Sequence, residues 1–199
     1  KDRDLKIQRQ RVLYRGLTTI LGIPNTNVRK QYYEYILEEY QSHHYINLID
    51  IEILFNNMAF DGEWRPALEF IAKAYKENSS VRSSIEGERN IQGFFTAYLS
   101  VNAYYLTTPE VELSHGFCDM FLMPDLQRYA EIAHSYIVEL KYLPKEKFDA
   151  QSAEQWEEAV AQIHGYAASP KVRLLCQGTQ LHCIVIQFCG WEMVRMEEV

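Results

Sequence analysis

The 199-residue sequence predicts a mixed α/β (α+β) fold, with a helix, three strands, a helix and a strand in that order behind a mostly helical N-terminal extension. Three observations predict it. Apolar residues recur at helical spacing to about residue 104, alternate between 111 and 142, and return to helical spacing from 153. Runs rich in Val, Ile, Phe and Tyr bounded by Gly, Pro and polar residues mark strands, above all around 136–142 and 181–189. The polar stretch Asn78-Ser79-Ser80 separates residues 1–80, read as a connector, from residues 81–199, read as the domain with the chemistry.

In chain order, residues 8–21 fit either a helix or a strand. A helix through Tyr32, Tyr33, Ile36, Leu37 and Tyr40 follows the Pro24-Asn25-Thr26 turn, with Asn25 or Thr26 as its cap. A second covers about 48–58 and stops at Asp61-Gly62; a third, with Pro66 in its first turn, reaches Tyr75. The helix predicted over 85–104 buries Ile91, Phe94, Phe95 and Tyr98. Strands are predicted over 111–113, 117–123 and 136–142. A helix over 153–168 carries Trp156, Val160, Ile163 and Ala167 on one stripe. A strand over 181–189 and a hairpin partner over 191–196 close the chain.

The hydrophobic fraction of 47% and charged fraction of 24% are those of a globular chain able to bury a full core. A net charge of -7 argues against a wholly phosphate-binding surface, but a basic groove remains compatible with it because screening acts over about 10 Å. Cys118, Cys176, Cys183 and Cys189 form no CxxC pair, and most have apolar neighbours, as expected of reduced cysteines in a cytoplasmic protein. No apolar run is long enough for a membrane span, so no membrane association is expected. Lys1 rather than Met opens the chain, as in a processed chain or a piece of a longer one.

In the strand Ile137-Val138-Glu139-Leu140-Lys141, Glu139 and Lys141 share one face while Val138 and Leu140 take the other. A carboxylate and an ammonium on a buried strand need a partner, because burying charge is costly. A simple salt bridge would suffice, and the same tripeptide pattern recurs at Asp4-Leu5-Lys6, so the context decides. Asp119 opens the preceding strand, and a hairpin register that sets 119 opposite 139 brings two carboxylates to about 5 Å, where they repel unless a cation lies between them. Mg²⁺ suits such a site, with one or two carboxylates, a carbonyl (that of Leu140) and retained waters; Mn²⁺ would substitute. Glu88 lies about 60° from Ile91 around its helix, at the edge of the apolar stripe, although a helix-N-terminal carboxylate also explains it. Gln162 and Tyr166 are one helical turn apart beside the stripe of the later helix. His115 and His164 are near, but the chemistry needs neither.

Together, Glu88, Gly116-Phe117-Cys118-Asp119, Glu139-Leu140-Lys141 and Gln162-Ile163-His164-Gly165-Tyr166 resemble the PD-(D/E)xK nuclease superfamily, whose restriction-endonuclease-like core has the order αβββαβ. More narrowly, the chain resembles the C-terminal nuclease domain of bacterial AAA-ATPase-like proteins, and residues 21–30 are similar to the segment that follows the ATPase. No P-loop occurs in this chain, so such an ATPase-like domain would lie upstream. The resemblance implies Mg²⁺-dependent cleavage of nucleic acid, DNA in the first instance. Asp119, Glu139 and the Leu140 carbonyl would hold the metal, and Glu88 would bind through water or a second ion. Lys141 would orient the attacking water, while Gln162 and Tyr166 would support the site or meet the substrate backbone. One departure matters: relatives often carry Arg where this chain has Phe117. It leaves open a catalytically inactive relative that serves regulation or assembly of an ATPase-containing protein.

Overall fold

The structure is a computed structural model and describes residues 6–13, 16–22, 48–78, 87–113 and 116–199. Its elements are β1 (Lys6–Leu13), β2 (Gly16–Gly22), α1 (Leu48–Phe60), α2 (Trp64–Asn78), α3 (Glu88–Ser100), β3 (Tyr105–Leu113), β4 (Gly116–Pro124), β5 (His134–Leu143), α4 (Lys145–Ala167), α5 (Pro170–Cys176), β6 (Gln180–Cys189) and β7 (Glu192–Glu198). Strands β3 to β7 form one sheet in sequential order, antiparallel except for the parallel pair β5 and β6. A parallel pair needs a crossover, and α4 with α5 supplies it. The order α3, three strands, α4, β6 is the predicted αβββαβ core.

Each sheet face has its own apolar layer. Tyr136, Val138 and Leu140 of β5, with Ile184, Ile186 and Phe188 of β6, pack against α1, α2 and α3. Ile137 of β5, with Cys183 and Val185 of β6, packs under Trp156, Ala159, Ile163 and Tyr166 of α4. β6 is buried on both sides, which explains its almost unbroken apolar run. α1 and α2 therefore share a core with the sheet, even though they precede the Asn78-Ser79-Ser80 stretch. The start of β5 is tied to the end of α1: the Tyr136 hydroxyl donates to the Met58 carbonyl at 2.6 Å, and the Ala133 N–H donates to the Ala59 carbonyl at 3.2 Å. Both carbonyls are in a last helical turn, where intrahelical partners run out.

A chain of side-chain bonds holds one end of the sheet on the α1–α3 side. Trp64 Nε1 donates to Glu198 Oε2 at 2.9 Å, and Glu198 Oε1 lies 2.7 Å from His182 Nδ1. His182 Nε2 lies 2.9 Å from His134 Nδ1, and the Tyr136 ring stacks on His182. With His182 donating to the carboxylate, its other nitrogen is free to accept from His134. Burial and then the neighbouring His182 hold the His134 pKa below its usual value. The turn over Asp61-Gly62 closes against this chain: Gly62 has φ 74°, and a Cβ there would meet His134 Cε1 at 2.9 Å.

Several boundaries differ from the sequence reading for identifiable reasons. The stretch 8–21, which fitted either a helix or a strand, falls mostly within β1 and β2, which pair antiparallel inside the segment read as mostly helical. The helix expected around Tyr32–Tyr40 lies outside the described residues. α3 stops at Ser100, not 104, because Asn102 Oδ1 accepts the N–H groups of Tyr104 and Tyr105 at 2.8 and 2.6 Å and its Nδ2 donates to Leu99. That Asx turn ends the helix and starts β3. α4 begins at Lys145, well before 153, since its first turns are charged and exposed and carry no apolar period. The short α5 follows Ser169 with Pro170 at its start, a signal the apolar pattern could not supply.

Phe95 is fully buried and meets the Phe188 ring edge-on at 5.9 Å, joining α3 to β6. Phe95→Ala should lower the unfolding free energy by about 3–5 kcal/mol, read from urea titrations; a loss below about 1 kcal/mol would show that α3 does not pack on the sheet.

Candidate active site

β4 and β5 pair with Met120 opposite Val138, Phe121 opposite Ile137 and Leu122 opposite Tyr136. One step further, the same register sets Asp119 opposite Glu139. There the Asp119 carboxylate accepts the N–H of Leu140 at 2.8 Å, taking up a backbone donor beyond the last paired residue. Glu139 is only 3% exposed, and its Oε1 accepts from Lys141 Nζ at 2.8 Å. The two alternate residues of one strand thus form an ion pair along its face.

Glu88 is the first residue of α3 and is exposed, following Gly87 at the helix N-cap. One turn later on that helix, Gln92 Nε2 donates to the Asp119 carbonyl at 3.4 Å. Gln92 was missed in the sequence; its spacing of four from Glu88 was the available signal. On the other side Tyr166 is buried in the α4 layer, while Gln162 one turn earlier is exposed. His164 is exposed, and His115 and the Phe117 side chain lie outside the described residues.

The electrostatics of this cluster are strained. Burial, and then the Glu139 charge, push the Asp119 pKa up to about 7, against the lowering effects of the Leu140 N–H and Lys141; Glu88 adds to the rise. Burial also raises the Glu139 pKa, against the lowering effects of Lys141 and of the Asp119 N–H; Glu88 adds to the rise. Burial alone would lower the Lys141 pKa, but Glu139, Asp119 and Glu88 outweigh it and the net shift is upward. Burial, and then Glu139, raise the Tyr166 hydroxyl. These couplings show that Glu88, Asp119, Glu139, Lys141 and Tyr166 share one field.

Glu139 Oε2 is buried and has no hydrogen-bond partner among the described residues. An orphaned, buried carboxylate oxygen beside a second carboxylate fits a divalent cation, which would accept both and relieve their repulsion. Among the described residues no group of three or more His, Cys, Asp and Glu side chains is placed to hold a metal ion. The two carboxylates would then need a carbonyl and water to complete the shell of a hard divalent cation.

With this geometry in place, comparison with protein families is decisive. The model of the PD-(D/E)XK nuclease superfamily matches residues 86–198. The chain belongs to that superfamily. The match begins just before α3 and takes in the mixed sheet and both crossover helices, so this nuclease-superfamily core and the acid cluster coincide. No curated protein matches the chain, and no solved structure does. Among the described residues no helix is long and apolar enough to cross a membrane.

A raised folded-state pKa means that the folded chain holds a proton which the unfolded chain releases. Asp119 therefore contributes stability that is present below its unfolded pKa near 4 and lost as pH rises through about 7. In metal-free buffer the stability of Asp119→Asn minus that of the natural chain should rise over that window, measured by chemical denaturation at several pH values. A difference that stays level would show that Asp119 is not held in this field.

Proposed function

We propose that this chain hydrolyses phosphodiester bonds of nucleic acid, DNA in the first instance, with Mg²⁺ and Mn²⁺ as a substitute. The observation that carries the reading is the orphaned Glu139 Oε2 next to Asp119, with Lys141 locked at 2.8 Å on the other oxygen. Asp119 and Glu139, with the Leu140 carbonyl, would hold the ion. Glu88, exposed at the rim, would reach it through water or hold a second ion. When bound, such an ion polarises the phosphate and lowers the pKa of an attacking water.

The remaining work falls to the chain itself. Lys141 keeps its proton because three carboxylates surround it, so it offers N–H donors to the attacking water and to charge that develops on the phosphate. Asp119 is aimed by the Leu140 N–H, and its strand is braced by Gln92, which limits the freedom of the carboxylate. Tyr166 would support the cluster from α4, and exposed Gln162 would meet the substrate backbone. The exposed cations Arg89, Lys145, Lys147 and Lys171 would supply phosphate contacts that weaken with salt. The similarity of residues 21–30 to a post-ATPase segment supports an upstream ATPase-like domain as partner, and the free Cys118, Cys176, Cys183 and Cys189 suit the cytoplasm.

A non-cleaving member of the superfamily is the second reading. Phe117 in place of a basic residue favours it, as does the lack of a three-acid cluster among the described residues.

Asp119→Asn and Lys141→Ala should each reduce cleavage of linear, circular or single-stranded DNA on the order of 10²-fold or more. They should part in calorimetric Mn²⁺ titrations: Asp119→Asn loses affinity, whereas Lys141→Ala keeps or gains it because a neighbouring cation is gone. A natural chain that binds Mn²⁺ but cuts nothing would select the non-cleaving reading. Cleavage undiminished in Lys141→Ala would place the active site elsewhere.

A further inference from the structure

On the face that carries Glu139 and Lys141, a polar row continues across the sheet. Lys141 of β5 pairs with Gln187 of β6, and Gln187 pairs with Arg195 of β7. Residues paired this way project to the same side, and adjacent strands lie about 4.8 Å apart, so Gln187 sits one strand from Lys141 and Arg195 two. Beside this row is a cavity of about 300 Å³ lined by Phe148, Ser152, Ala153, Gln187, Val194 and Arg195. None of these residues entered the sequence-derived site.

We propose that this cavity is a subsite for the base of one unpaired nucleotide near the scissile phosphate, a reading that rests on the proposed nuclease function. Arg195 is a fixed plate: its Cζ lies 3.8 Å over the Trp156 ring, and its Nε and Nη2 donate to the two Glu197 carboxylate oxygens at 2.9 and 3.1 Å. A guanidinium so held offers a flat surface to a heteroaromatic ring, at little ordering cost on binding. Its charge is already matched by Glu197, and among the described residues no other Lys or Arg lines the cavity, so the lining suits a neutral ring rather than a phosphate. Phe148 supplies an aromatic wall.

Polar recognition would come from Gln187, which is 2% exposed in the middle of an apolar strand. Its Nε2 donates to the Ser152 carbonyl at 2.8 Å and to Gln155 Oε1 at 3.0 Å, so the amide is held in one orientation, with its oxygen as the acceptor it would offer a base. The register between β6 and β7 shifts between Gln187 and Phe188, so Val194 has no paired residue opposite it and is 44% exposed on the cavity lining. Such a bulge re-aims the side chains beside it. The volume is at the lower end for small-ligand sites, enough for one nucleotide and too small for a base pair. The substrate class is therefore a single strand, or an end whose last nucleotide is frayed.

The test uses the full chain in EDTA, titrated with deoxyadenosine monophosphate, deoxyribose 5-phosphate and inorganic phosphate, with the Gln187 side-chain amide and Arg195 Nε–H followed by NMR. The base-bearing probe should shift both signals saturably and the two base-free probes should not. Val194→Trp, at an exposed position, should fill the cavity and weaken binding at least tenfold, and Phe148→Ala should weaken it in the same direction. Equal shifts with phosphate alone, or undiminished affinity in both variants, would overturn the subsite. Binding is read without metal or cleavage. A chain that cuts DNA but gives no saturable shift loses the subsite alone, and one that binds the nucleotide but cuts nothing keeps the subsite and loses the nuclease reading.

Discussion

The arrangement depends on one buried charge. Glu139 lies in the middle of β5, at 3% exposure, with apolar layers over both faces of the strand pair it belongs to. Removing a carboxylate from water costs several kcal/mol even after a protein relaxes around it. Lys141 offsets part of that cost through one oxygen; the other oxygen stays without a partner among the described residues. The neighbourhood then makes matters worse, for Asp119 and Glu88 add negative charge to the same field. A fold optimised only for stability would not retain this group, and local strain of this kind points to function.

A neighbouring strand supplies the contrast. Gln187 is a buried polar residue on the same sheet face, one strand from Lys141, and its amide nitrogen is bonded twice to α4. The fold can satisfy a polar group in this layer when the group is neutral and within reach of the covering helix. It leaves Glu139 half satisfied: one oxygen takes Lys141 Nζ, and the other makes no hydrogen bond among the described residues. On the opposite face the division is sharper still: Tyr75, Phe94, Phe95, Tyr98 and Phe188 form a ring-on-ring layer under α1 to α3, and the main polar chain there runs from Trp64 through Glu198 and His182 to His134, at one end of the sheet. That chain and the cap of Tyr136 on Met58 hold the start of β5, and so the strand that carries Glu139 and Lys141, in place.

Much of this was legible in the chain. Alternation over 136–142 and the apolar run at 181–189 identify β5 and β6, and the helical spacing of Ile91, Phe94, Phe95 and Tyr98 identifies α3. Charged first turns hid the start of α4, and Asn102 cut α3 short by a side-chain turn that hydrophobic spacing does not register. Gln92 and Gln187 escaped notice for a simpler reason: an amide carries no charge to demand a partner, and only the spacing of Gln92 from Glu88 could have marked either.

The sequence by itself determined which residues share a face: period two sets Glu139 and Lys141 together, and period 3.6 sets Glu88 at the edge of an apolar stripe. It also determined the family, since its motifs and their order run along the chain. Only the tertiary structure decided how deep each group lies and what stands beside it. Whether Glu139 is buried, whether Asp119 meets Leu140 or water, and whether Arg195 stacks on Trp156 depend on strands and helices distant in sequence. Desolvation is set by those neighbours collectively, and no local pattern encodes it.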